Sequence, residues 1–322
     1  MASDCISVGR VGAEPGSKRV IVGVALQSLF ASDDSGQTWQ ALGTGGGSAP
    51  ITNRASSITF DPEHADVFWE TGTHNGGGMY RTSDGGETFV QLGTMTMSQD
   101  AAVDFADPDR KTLLTGTHGA GVYRSTDGGV SFASVGAALP GNTLWPLLID
   151  SQTHLMGTYE QDAANANNGI YRTTDGGASW TRVSSLAPSH DGSLVRTSDD
   201  SIYLALSGNS GIAKSTDLGQ TWAEVTGPTA AFAPPSFSIN PVELPDGRLV
   251  TIGTDHLVIS SDGGVTFEPF GEPLPYAPSG GEFGGLTYSV VSKTFFLWHS
   301  SCGANVVLDN AIMSAGFDYA AQ

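Results

Sequence analysis

The chain has 322 residues, 43 of them glycine, and a formal net charge of −19. So acidic a chain argues against nucleic acid as a partner, and no apolar run approaches the length of a membrane span. Residues 1–5 lack the basic start of a signal peptide, and we expect no interaction with nucleic acid or membranes.

Short apolar runs of strand length, separated by turn-forming residues, follow one another along the whole chain. From the N-terminus we predict strands at residues 6–8 and 20–22, then pairs at 57–60 and 67–70, 102–105 and 113–115, 147–150 and 154–156, 194–196 and 202–204, and 237–239 and 249–251. The last three predicted strands cover residues 286–289, 294–298 and 311–314. These runs predict an all-β chain.

An eight-residue pattern, Ser/Thr-x-Asp-x-Gly-x-Ser/Thr-Trp/Phe, occurs six times. Its copies cover residues 32–39, 82–89, 125–132, 173–180, 215–222 and 260–267. The Asp is placed to accept hydrogen bonds from loop N–H groups, and the Gly suits a backbone conformation that a side chain would resist. The aspartates recur every 42 to 50 residues, and a strand-rich repeat of about 40 to 50 residues indicates a propeller or a repeat array.

The pattern resembles the Asp-box, or BNR, repeat of sialidases, xyloglucanases, sortilin-type receptors and photosystem II assembly factors. The resemblance implies a β-propeller in which each box joins the third and fourth strands of a blade, on the face opposite the ligand site. Six boxed units and a last unit without a box predict a seven-bladed β-propeller that forms one domain over residues 1–322. A six-bladed ring, as in sialidases, is the alternative.

The two cysteines, Cys5 and Cys302, lie near opposite ends of the chain, which a closed ring brings together. A disulfide between them would lock the ring and would indicate an oxidising compartment. Two buried free thiols are an equal alternative.

One position repeats around the predicted ring, at the end of the second strand of each unit. It follows Gly-Thr in four units and holds mostly proton-transferring side chains, namely His74, His118, Tyr159, Asp255 and His299. Pseudo-symmetry should direct these side chains towards the central axis. Histidine titrates near neutrality, so we predict that these five residues are catalytic and act as acids, bases or orienting groups.

Further residues near these loops are predicted to bind the substrate. Arg54 could hold a carboxylate through two parallel hydrogen bonds, and aromatic rings could stack on sugar faces. The predicted substrate-binding residues are Arg54, Trp145, Glu160, Asp162 and Tyr276. Three of the histidines could form a zinc site, but no metal-binding motif supports it, so we expect neither a metal nor another cofactor.

These residues favour a secreted or periplasmic carbohydrate-active enzyme, a monomer that acts on an oligo- or polysaccharide. Histidine and tyrosine acid–base chemistry with Arg54 suits a polysaccharide lyase, which removes the proton next to a uronate carboxylate. A glycoside hydrolase needs two carboxylates beside the bond and stays open as the other branch. The alternatives are a non-catalytic glycan- or protein-binding propeller, or assembly scaffold, and a set of histidines that only lines a water-filled channel.

Overall fold

The structure, a computed structural model, describes residues 6–119, 121–136, 139–140, 142–160, 165–189, 193–207, 211–226, 239–253, 255–274, 283–299 and 311–321. The described chain is nearly all β, as predicted. Its strands form seven separate antiparallel sheets in which strands that are neighbours in sequence are also neighbours in space. Each sheet is one blade, so the prediction of seven blades is confirmed and the six-bladed alternative is wrong.

Six blades have four strands each, and we number the strands in chain order. The first three blades contain β1 (Val8–Ala13), β2 (Val20–Val24), β3 (Ser28–Ser32) and β4 (Gln40–Ala41); β5 (Arg54–Phe60), β6 (Phe68–Thr73), β7 (Met79–Thr82) and β8 (Val90–Leu92); and β9 (Ala102–Val103), β10 (Leu113–Thr117), β11 (Gly121–Ser125) and β12 (Ala133–Ser134).

The remaining blades follow the same order. They contain β13 (Asn142–Leu148), β14 (His154–Tyr159), β15 (Gly169–Thr173) and β16 (Thr181–Ser184); β17 (Val195–Arg196), β18 (Ile202–Ala205), β19 (Ile212–Ser215) and β20 (Ala223–Thr226); β21 (Val242–Glu243), β22 (Leu249–Ile252), β23 (Leu257–Ser260) and β24 (Glu268–Phe270); and β25 (Phe283–Ser289), β26 (Thr294–His299) and β27 (Ala311–Gly316). One 3₁₀ turn, Tyr319–Ala321, follows β27.

The inner strand of blade 6 differs from its predicted position. We placed it at residues 237–239, of which 237 and 238 lie outside the described residues, whereas the structure has it at Val242–Glu243. This strand is only two residues long and its position is set by pairing with Leu249 and Val250. A strand so short carries no alternation of its own from which to predict its bounds.

Apolar side chains between neighbouring blades form the core. Phe68 and Phe89 of blade 2, for example, stack edge to face with centroids 5.7 Å apart and pack on Ile21 and Leu29 of blade 1. The ring closes in the same way, because Val11 of blade 1 packs with residues of blade 7 in one cluster. Each blade therefore buries the apolar face that its neighbour leaves open.

The six boxes form the loops between third and fourth strands. In the second box Asp84 Oδ1 accepts from the Thr82 hydroxyl (2.7 Å) and the Thr88 N–H (2.9 Å), while Oδ2 accepts from the Thr88 hydroxyl (2.6 Å). Gly86 has a φ of 92°, in the left-handed region that favours glycine. These hydrogen bonds lower the pKa of Asp84 to about 2, the hydroxyl of Thr88 contributing most. The aspartate is engaged in closing its loop.

Candidate functional site

A cavity of about 170 Å³ opens on the propeller axis, at the end of the blades opposite the boxes. The inner strands and the loops after the second strands supply its walls. Besides the hydroxyl residues Ser56, Thr73 and Ser193, its lining has seven larger charged, polar or aromatic side chains, namely Arg10, Arg54, His74, Gln99, Asp100, His118 and Trp145. The cavity therefore collects seven side chains from blades 1 to 4 in one place.

Irregular inner strands shape this cavity. The pairing of inner and second strands shifts by one residue between Val8 and Arg10, and again between Ala55 and Ser57. Blades 4 and 7 have the same kind of shift, between Thr143 and Trp145 and near Gly284. A β-bulge bends a strand and redirects its side chains, and bulges are frequent beside active sites.

The two arginines of the cavity are short of polar partners. The guanidinium of Arg10 lies over the ring of Trp298, 5.4 Å from its centroid. Neither Arg10 nor Arg54 makes a side-chain hydrogen bond or an ion pair with any residue that the structure describes. Both side chains are half-buried. Two guanidinium groups therefore face one cavity with donors left over for a ligand.

The two histidines occupy equivalent places in blades 2 and 3. His74 has a φ of 58°, and its Nδ1 lies 3.1 Å from the hydroxyl of Thr73. A non-glycine residue with positive φ is uncommon and often belongs to a functional site. His118 is half-buried, and its N–H donates to the carbonyl of Met97 at 3.2 Å. The structure thus brings two of the five predicted catalytic residues to one cavity.

Asp100 adds a carboxylate to the cavity. Its Oδ1 accepts the N–H of Ala101 at 2.9 Å. Removal from water raises the pKa of Asp100, while the charge of Arg10 and a hydrogen bond from Ser57 oppose that rise. Burial lowers the pKa of Arg10, and the charge of Asp100 opposes that shift. Asp100 and Arg10 therefore influence each other across the cavity.

The other predicted catalytic residues lie elsewhere. Tyr159 stacks edge to face on Trp145, with centroids 6.3 Å apart, and so borders the cavity through that ring. Asp255 is an exposed residue that pairs with Nδ1 of His256 at 2.8 Å. His299 is only 1% exposed at the end of β26. Neither Asp255 nor His299 is part of the described cavity lining.

The predicted substrate-binding residues divide in the same way. Arg54 and Trp145 line the cavity. Trp145 is 4% exposed, and its ring packs against Gly157. Glu160 follows β14, and its N–H donates to the side-chain carbonyl of Asn168 at 2.6 Å. Asp162, Tyr276, Cys5 and Cys302 lie outside the described residues.

Sequence reasoning missed Arg10, Gln99 and Asp100. Gln99 and Asp100 stand just before the start of β9, as Arg54 stands at the start of β5, so the position of Arg54 was the available signal for these two. Arg10 is the third residue of β1 and does not share that position. A group of Asp61, Glu63 and His64 elsewhere has the spacing of a metal site. There Arg110 already donates to both carboxylates, at 2.8 Å to Asp61 and 2.7 Å to Glu63, so a cation is in place.

No protein-family model matches this chain, and a search of curated proteins finds no relative of it. Solved structures share its fold. A GH74 enzyme from Niastella koreensis superposes with a TM-score of 0.68 at 19% identity over 98% of this chain and 53% of its own. The fold is a seven-bladed β-propeller. The extracellular domain of BT4673 from B. thetaiotaomicron gives 0.64 at 13% identity, over 98% of this chain and 39% of its own.

A third similar structure is that of YCF48 bound to D1 peptide, with a TM-score of 0.57 at 19% identity over 84% of this chain and 80% of that one. The propeller spans about half the length of the GH74 enzymes that it matches. No helix in the described ranges is long and apolar enough to cross a membrane. At these identities the likeness shows the fold, and the activity must be argued from the cavity.

Proposed function

We propose that the axial cavity binds an acidic glycan outside the cytoplasm and cleaves it by lyase-type elimination. One observation carries this proposal. Two arginines that make no side-chain hydrogen bond or ion pair with a described residue share a cavity with two histidines and a single carboxylate, Asp100, in a chain whose formal net charge is −19. A uronate carboxylate is a ligand that two guanidinium groups recognise well, because each offers paired N–H donors.

The elimination follows from the groups present. Arg10 and Arg54 hold the uronate carboxylate and stabilise the negative charge that develops when the neighbouring C5–H is removed. A neutral imidazole, from His74 or His118, takes the C5 proton. The electron pair forms a C4–C5 double bond as the C4–O bond to the leaving sugar breaks. The other imidazole, protonated, donates a proton to the leaving oxygen, so atoms and charges balance.

Hydrolysis is less well supported by this lining. Glycoside hydrolysis uses two carboxyl groups about 5 to 10 Å apart that flank the bond. Asp100 is the one carboxylate among the described residues of the cavity wall. A hydrolase would need a second carboxylate at the cavity from elsewhere.

A non-catalytic binding propeller is the second candidate. One similar structure is a propeller bound to a peptide, and another is the extracellular domain of a putative one-component system. Two free guanidinium groups can hold a peptide carboxylate as well as a uronate carboxylate. In that case His74 and His118 contribute to binding and catalyse nothing.

The deciding experiment measures unsaturated product by ultraviolet absorbance with polyuronates as substrates. We expect His74→Gln and His118→Gln to reduce kcat by about a hundredfold or more while oligouronate binding changes little. His64→Gln is the matched control, because His64 is largely exposed on another loop. New reducing ends without ultraviolet absorbance would select the hydrolase. Binding that falls in both variants, with no product from the wild type, would select the binding module.

A further inference from the structure

A second cavity, of about 260 Å³, adjoins the first one along the axis. The two cavities share Arg10, Ser193 and Gly284 in their walls. The first is lined from blades 1 to 4, with contributions from blades 5 and 7, whereas the second is lined mainly by the inner strands of blades 5, 6 and 7. Arg10 therefore stands at the boundary between the two cavities.

The chemistry of the second cavity is different. Its walls include the apolar side chains of Val195, Ile239, Pro241, Val242 and Leu286, and the polar ones of Ser193, Asn240, Glu243 and Thr287. The carboxylate of Glu243 is engaged, because it accepts hydrogen bonds from the N–H (2.9 Å) and the hydroxyl (2.6 Å) of Ser198. Arg10 is the one basic residue in its described lining, and it is shared with the first cavity. The second cavity is therefore the more apolar of the two, which suits a ligand that is itself anionic at one end and apolar at the other.

We propose that the second cavity is a subsite for the apolar aglycone of the acidic glycan whose carboxylate Arg10 and Arg54 hold; this rests on the proposed function of the first cavity. The wall residues that the two cavities share are the reason for choosing one bipartite ligand. The volume agrees, because an apolar cavity of about 150 Å³ is enough to take up benzene. A phenyl or short alkyl group therefore fits.

Isothermal titration calorimetry with small glycosides tests the subsite. The probes are methyl and phenyl glycosides of glucuronic and galacturonic acid, with phenyl glucoside as the neutral comparison. We expect the wild type to bind the phenyl uronide at least about tenfold more tightly than the methyl uronide, because the ring leaves water. We expect phenyl glucoside to bind more weakly than phenyl uronide, since it lacks the carboxylate.

A filling substitution then localises the effect. The phenylalanine side chain of Val195→Phe should occupy the second cavity. We expect this variant to bind the phenyl uronide no more tightly than the methyl uronide, and to bind the methyl uronide with the affinity of the wild type. Val90→Phe is the matched control, since Val90 is 63% exposed on β8. The wild-type comparison stands by itself if Val195→Phe does not fold.

The outcomes separate the two proposals. Equal affinity of the wild type for phenyl and methyl uronides would overturn the aglycone subsite and leave the uronate site standing. Equal losses for both ligands in Val195→Phe would also overturn it. No binding of any uronide would overturn both.

Discussion

Glu70 gives the sharpest test of the structure. It lies on β6 with no exposed surface, between blades 1 and 2. Its Oε2 accepts from the side-chain amide of Asn53 at 3.2 Å, and its Oε1 has no partner among the described residues. Burial raises the pKa of Glu70 to about 8 from an ordinary value of 4.5, and the Asn53 hydrogen bond only partly opposes this.

The pKa difference sets the size of the effect. In the unfolded chain Glu70 ionises near its ordinary pKa, while in the folded chain it stays protonated up to about pH 8. The stability that it contributes is complete below about pH 4.5 and is lost as the pH rises through about 8. Each pKa unit corresponds to about 1.4 kcal/mol, so the whole loss amounts to about 5 kcal/mol. About 3 kcal/mol of this stability is already lost at pH 7.

Glu70→Gln removes the titration and keeps the shape of the side chain. We expect the free energy of unfolding of the wild type, minus that of the variant, to fall by about 5 kcal/mol between about pH 4 and about pH 9. Urea unfolding followed by circular dichroism at several pH values measures this difference. Glu87→Gln, at an exposed box position, is the control. A difference that does not change with pH would show that Glu70 is not buried as described.

Three other substitutions test the scaffold. Arg110→Met leaves Asp61, which is 1% exposed, without its ion partner. This should lower the free energy of unfolding by about 3 to 5 kcal/mol, as measured by urea unfolding. An unchanged midpoint would contradict the ion pair. The hydrogen bonds of Asp84 stabilise the fold while its carboxylate is ionised, and this contribution is lost as the pH falls from about 4 through about 2. Asp84→Asn should therefore make the stability depend less on pH in this range, as measured by acid titration of the circular dichroism signal. An unaltered acid transition would contradict this. Gly157→Ala places a Cβ 2.9 Å from Trp145 and should lower stability by about 1 to 3 kcal/mol in thermal unfolding, whereas a neutral effect would mean that the ring can move.

The fold was predictable because the eight-residue pattern is a local structure. The Asp of each box bonds to groups within four residues of itself, so the loop and its flanking strands are specified by a short stretch of sequence. Blade 7 was predictable without a box because its three strands have six or seven residues each and the middle one contains the apolar run 295–298. The inner strand of blade 6 was not, since a strand of two residues is positioned by its partner β22.

The site was predictable only in part. His74 and His118 could be found because the end of the second strand is a position that the repeat itself marks. The same rule places Asp255 on the exposed surface, paired with His256, so the pseudo-symmetry is approximate. Arg10 depends on the shifted pairing of β1, which arises from the contact between strands and leaves no pattern in the sequence.

Most arginines of this protein have polar partners, whereas the two in the cavity make no hydrogen bond or ion pair with a described residue. This difference links the charge of the chain to its proposed function. The chain has 33 acidic and 14 basic residues, so a basic side chain at the surface finds a carboxylate or carbonyl easily. Arg19, Arg110, Arg196 and Arg248, among others, do so. Arg81 has no polar partner among the described residues either, and like Arg10 it lies over a tryptophan, but it is not part of the cavity lining. Arg10 and Arg54 share a concave, half-buried space in which Asp100 is the one carboxylate among the described lining residues, and a cation without a full counter-charge is unfavourable there. An anionic ligand removes that cost locally, even though the net charge of the protein repels it at long range.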